Sequence, residues 1–105
     1  MTRILGIDPG LNITGYGVIE PVGQGFRVVE AGVVRGKSRG SLQWRVKEIF
    51  EGVSDVIQSL QPQAVAIEEL YSHYDRPKTA ILMGHARGVI VLAASQAAIS
   101  INAYA

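Results

Sequence analysis

At 105 residues, 48% of them apolar, the chain has material for one domain, 1–105, with a modest core and no room for a second. A formal charge of +1 gives no global basic field, so any affinity for nucleic acid must come from a local patch. Cysteine is absent, which excludes disulfides and thiolate metal sites. With no signal-like leader and no apolar run near about 18 residues, the chain is expected to be soluble and cytoplasmic, with no membrane partner.

Ile4-Leu-Gly-Ile-Asp8-Pro-Gly10 runs a short apolar strand into a carboxylate and then a turn. Pro9 biases Asp8 toward extended backbone. Pro9 and Gly10 suit the two central positions of a type II turn. Asp8 is then fixed at a strand end, where it can bind a metal or a donor with little ordering cost, although Asp-Pro-Gly is also simply a good turn. Thr14 to Glu20 reads as a second strand, Pro21-Val-Gly-Gln-Gly25 as a turn, and Phe26 to Arg35 as a third antiparallel strand. Gly15 and Gly17 are two apart and share a face. They either leave room for a substrate beside Asp8 or mark a bulge or a packed helix.

Arg35-Gly-Lys37-Ser-Arg39-Gly40 carries three cations among small residues, as a solvated loop or a phosphate-contacting one would. Ser41 can cap a helix in which Leu42, Val46, Ile49, Phe50, Val53, Val56, Ile57 and Leu60 form one apolar stripe. Gln61-Pro62 ends it. Ala64-Val-Ala-Ile-Glu68 is a continuous apolar run, as expected of a parallel strand covered on both faces. The strand, helix and strand connection is normally a right-handed crossover. If the new strand pairs with the first, Asp8 and Glu68 emerge together at one carboxyl edge, where open α/β sheets bind ligands. A divalent metal with oxygen ligands, such as magnesium, would relieve their repulsion.

Leu70 to Lys78 interleaves Tyr71, His73, Tyr74, Arg76 and Lys78, which suits base stacking and phosphate contact and equally suits a polar surface loop. Lys78 to Ala98 reads as a second helix, apolar nearly all round, with Ala80, Gly84 and Gly88 four apart. Small residues in that register permit close approach of another backbone, so one face is expected to meet the sheet and another a second subunit. Ile99 to Ala105 reads as a fifth strand.

Gly-Ile-Asp8-Pro-Gly, Thr14-Gly-Tyr-Gly, Ala66-Ile-Glu68 followed by Tyr71, and Gly84-His-Ala-Arg-Gly88 together resemble the RuvC family of Holliday junction resolvases. The resemblance implies an α/β, ribonuclease H-like fold with a five-stranded mixed sheet, three antiparallel strands then two parallel, and helices on its faces. It also implies a homodimer that cuts four-way DNA junctions in recombination and repair, and a branch-migration complex as partner. Two magnesium ions would serve each complete active site, with manganese able to substitute. Asp8 and Glu68 match catalytic, metal-binding carboxylates of the family, Tyr71 an aromatic that stacks near the junction centre, and the helix with Ala80, Gly84 and Gly88 the dimer interface. Arg35, Lys37, Arg39, Arg76 and Lys78 would contact DNA.

Family members continue past the fifth strand into a helical region that supplies two more acidic ligands. Two-ion hydrolysis needs ligands enough for ions about 3.5 to 4 Å apart. The chain is therefore expected to be a truncated form, weak in metal binding and poorly active or inactive, with exposed apolar surface that favours association. Two other readings remain: a non-catalytic junction-binding module, and a nucleotide-binding domain of the sugar kinase and actin-like type.

Overall fold

The computed structural model describes residues 2–36, 40–69 and 76–104. Its elements are β1 (Ile4–Asp8), β2 (Ile13–Val22), β3 (Gly25–Arg35), α1 (Leu42–Leu60), β4 (Ala64–Glu68), α2 (Pro77–Gln96) and β5 (Ser100–Tyr104). One sheet has the order β3-β2-β1-β4-β5. β1, β2 and β3 pair antiparallel, and β4 and β5 add parallel to β1, the mixed arrangement expected from the crossover.

The β2–β3 hairpin is longer than the sequence suggests. Pro21 and Val22 belong to β2, and Val22 pairs with Gly25 across a two-residue turn in which Gly23 takes φ 60°, a conformation glycine adopts at no steric cost. Val18 pairs with Glu30 and Ile19 with Val28, so Val29 is the extra residue of a β-bulge. That bulge lies beyond the glycine pair, and Val29 packs against the core.

The core forms on one side of the sheet. Leu5 and Ile7 of β1, Val18 of β2 and Val65 and Ile67 of β4 are buried together with Ile49, Val53 and Ile57 of α1 and Ala86, Ile90, Ala93 and Ala94 of α2. α1 carries the predicted stripe, and Ser41 is its N-cap residue but makes no side-chain capping hydrogen bond. Gln61 stops the helix in the left-handed region at φ 51°, with its N–H donating to the Ile57 carbonyl. Gly52 brings α1 down onto β3: a Cβ there would stand 2.4 Å from Val34 Cγ1.

Alternation puts Ile4, Gly6, Ala64 and Ala66 on the opposite side, and none of them joins the core. Register carries Ile13, Gly15, Gly17, Ile19, Val28 and Val33 to the same side, where Ile13, Val28 and Val33 are 44 to 60% exposed. The continuous apolar run of β4 implied cover on both faces. In these residues both helices pack on one face, because α1 and α2 share a single buried cluster.

A carboxylate clamp closes the end of the sheet away from Asp8. Glu20, 1% exposed, accepts from Arg27 Nε at 2.7 Å and from Arg3 Nε at 3.1 Å. Arg3 Nη1 also donates to the Leu60 carbonyl at 2.9 Å, tying the end of α1 to β1. The Arg27 hydrogen bond first, and the Arg3 bond second, hold the Glu20 carboxyl below its ordinary value of 4.5. A carboxylate with a lowered folded pKa stabilises above the unfolded pKa, and that contribution fades as pH falls through the folded value. The unfolding midpoint is therefore expected to fall steadily below about pH 4.5. A thermal melt series on Glu20→Gln should lose that part of the acid dependence, and an unchanged acid limb would show that the clamp does not contribute it.

Candidate active site

The two predicted carboxylates come together through strand register. Ile7 pairs with Ile67 in the parallel β1–β4 ladder, so Asp8 and Glu68, each the next and last residue of its strand, leave the sheet side by side. Both project on the face that neither α1 nor α2 covers. Asp8 is exposed and Glu68 half-buried. Across the other ladder, Asp8 pairs with Gly15 and Gly6 with Gly17. A Cβ at Gly15 would lie 3.8 Å from Asp8 Cβ, and one at Gly17 would meet nothing within 4 Å. Among the described residues, the floor beside Asp8 is thus clear of packed side chains.

The turn after Asp8 differs from the type II turn that the sequence suggests. Positive φ among the described glycines is confined to Gly23 and Gly40, so Gly10 does not supply a left-handed backbone. It supplies space. A Cβ at Gly10 would stand 2.1 Å from the Ile13 carbonyl oxygen. Thr14, fully buried, holds the turn closed: its Oγ1 accepts from Gly10 N–H at 3.2 Å and donates to the Gly10 carbonyl at 2.8 Å. Leu11, 7% exposed, anchors the turn in the core.

Cations from three elements gather at this edge. Arg35 ends β3 opposite Ile13, and the Gly36 N–H just after it donates to the Asn12 carbonyl at 3.2 Å. Arg76 is the N-cap residue of α2 and Lys78 lies in its first turn; both are exposed. Because α2 returns the chain between the parallel strands β4 and β5, its start lies at the edge where Glu68 ends. α1 begins at the same edge, and there Arg45 Nη2 donates to Asn12 Oδ1. The sequence reading passed over Arg45. The available signal was a cation in the first turn of a helix, where the macrodipole disfavours it. Lys37, Arg39 and Tyr71 lie outside the described residues.

Two adjacent carboxylates offer hard oxygen donors of the kind magnesium or manganese accepts. Among the described residues no group of three or more His, Cys, Asp or Glu could hold a metal ion, so the set suits one shared ion better than a complete pair. On α2, the core side is Ala86, Ile90, Ala93 and Ala94. Gly88 is exposed with open space where a Cβ would stand, and Ile81 and Leu92 are 63% and 47% exposed. No helix among the described residues is long and apolar enough to cross a membrane.

Residues 4–105 match the family model of crossover junction endodeoxyribonuclease RuvC. The chain is 52% identical over 101 residues to the crossover junction endodeoxyribonuclease RuvC of Rhodopirellula baltica, covering 96% of this chain and 57% of that protein. The chain spans little more than half the length of the curated relatives it matches. A solved structure of T. thermophilus RuvC in complex with Holliday junction substrate superposes with a TM-score of 0.88 at 30% identity, over 99% of this chain and 64% of that one. The Ppx/GppA phosphatase of Aquifex aeolicus, at 12% identity and a TM-score of 0.56 over 98% of this chain and 36% of that one, shares the fold alone. The five-stranded mixed sheet with two helices is the ribonuclease H-like fold. The chain belongs to the RuvC family of crossover junction endodeoxyribonucleases.

Proposed function

We propose that this chain carries part of the catalytic edge of a nuclease that resolves four-way DNA junctions in recombination and repair by metal-dependent phosphodiester hydrolysis. The observation that carries the reading is the in-register placement of Asp8 and Glu68 on one open face. Arg35, Arg76 and Lys78 stand at the same edge. Asp8 and Glu68 are the residues that would hold the divalent ion, magnesium or manganese. Such an ion, one of two in a complete site, would supply charge neutralisation at the phosphate and would activate a water, by easing its deprotonation, for attack on phosphorus. The bare glycine floor at Gly15 and Gly17 admits the backbone of the nucleic acid, and the surrounding cations bind flanking phosphates. With two carboxylates in its described site, the 105-residue chain is expected to bind metal weakly and turn over poorly.

A resolvase must address two symmetric strands, which favours an isologous dimer. The α2 face bearing Ala80, Gly84 and Gly88, with exposed Ile81 and Leu92, is the surface that suits a second copy. A cytoplasmic setting and a branch-migration complex as partner complete this reading. The test is a gel series on a labelled four-way junction and a linear duplex of the same sequence, with magnesium and with chelator. Junction-selective binding with little or no magnesium-dependent nicking is expected. Equal affinity for the duplex would overturn the junction assignment, and symmetric nicking at full turnover would overturn the expectation of weak activity.

A further inference from the structure

The turn that follows Asp8 is tied to two segments distant in sequence through one residue. Asn12 accepts the Gly36 N–H with its backbone carbonyl and the Arg45 guanidinium with its side-chain oxygen. The first tie holds Gly36, the residue after Arg35, against the turn. The second fixes a guanidinium at the same edge.

Arg45 is placed at a cost. It lies in the first turn of α1, a turn with no acidic residue, where the aligned peptide dipoles already make the helix end positive. Among the described residues its side chain pairs with no carboxylate; the ion pairs formed there by Arg3 and Arg27 lie at the far end of the sheet on Glu20. Asn12 is a neutral acceptor, so it orients the guanidinium without cancelling its charge. A half-buried arginine held in this way has donors left over and full charge, which are the properties a phosphate contact needs.

From this geometry we infer that Arg45, oriented by Asn12, is a DNA phosphate contact at the Asp8 edge, the edge at which Arg35 ends β3. The inference rests on the proposed junction-binding function. Asn12 is a positioning residue in this scheme. It holds Arg45 and the Gly36 backbone, next to Arg35, against the turn that follows Asp8, so that flanking phosphates are bound while one phosphodiester lies against the carboxylates.

The test reads charge rather than fold. Binding of four-way junction and linear duplex is measured over a series of salt concentrations for the unaltered chain, Arg45→Gln and Arg45→Lys, with a thermal melt of each. Glutamine keeps a donor for Asn12 and removes the charge. Arg45→Gln should lower the slope of log affinity against log salt by about 0.9, the share of one phosphate, and weaken binding roughly tenfold at low salt, with its melting midpoint not lowered, since the charge it removes opposes the helix dipole. Arg45→Lys should keep the slope. Should Arg45→Gln fail to fold, Asn12→Asp carries the same test, since a carboxylate drawn onto Arg45 cancels its charge and should lower the slope as well. An unaltered slope in the neutral variants, or an equal loss in Arg45→Gln and Arg45→Lys, overturns the inference while leaving the function intact. Absence of salt-dependent binding by the unaltered chain would instead sink the functional reading on which it rests.

Discussion

Asp8→Asn is expected to abolish metal binding at the carboxyl edge and, with it, whatever magnesium-dependent nicking the chain supports, a loss on the order of 10³-fold. Junction binding in chelator should be unchanged or slightly tighter. The reason is electrostatic. Asp8 and Glu68 leave adjacent strands on the same face, and two carboxylates there repel both each other and an approaching phosphate until a divalent ion lies between them. Asparagine is nearly isosteric, so the turn at Gly10 and the pairing with Gly15 survive, while half of the anionic donor set is gone. Manganese is the convenient probe: its paramagnetic broadening of the Gly15 and Gly17 amides should be present in the unaltered chain and absent in Asp8→Asn. An equal loss of junction binding and of thermal stability would point to a folding role for Asp8.

Gly10→Ala should be strongly damaging, lowering stability by about 3 kcal/mol or more. The new methyl would meet backbone, 2.1 Å from the Ile13 carbonyl oxygen and 3.2 Å from its carbon, and no side-chain rotamer relieves such a contact. The turn has to open, which breaks the Thr14 clamp and lifts Leu11 out of the core. Gly17→Ala is the control: a Cβ there meets nothing within 4 Å, and its melting midpoint should stay close to that of the unaltered chain. Gly10→Asn separates the two accounts of this turn. Asparagine tolerates a left-handed backbone, so it would be accepted if conformation were the requirement, and it should fail as alanine does because the requirement is space.

The carboxylates were legible because each closes an apolar run. Leu5 and Ile7, and Val65 and Ile67, announce short buried strands, and a charge at the end of such a run has to emerge at an edge. α1 was legible for the same reason, since a stripe recurring every three or four residues reports burial along one helix. Gly10 shows the limit of local reading. Asp-Pro-Gly satisfies the rules of a type II turn, but the chain after it folds back on Thr14 and Ile13, and the glycine serves that closeness.

What one element's pattern carries is its own buried face and its ends, and by itself the sequence of this protein determined those: five strands, two helices, and the carboxylates that terminate β1 and β4. The tertiary structure alone decided how they meet. It set both helices on one face, left Gly6, Gly15, Gly17 and Ala66 on the face that neither helix covers, joined Arg3 and Arg27 on Glu20, and brought Arg45 to Asn12 across a separation of 33 residues. Hydrophobic periodicity fixes which side of an element is dry, but the partner that dries it, and the polar groups that then become neighbours, follow from packing between distant segments.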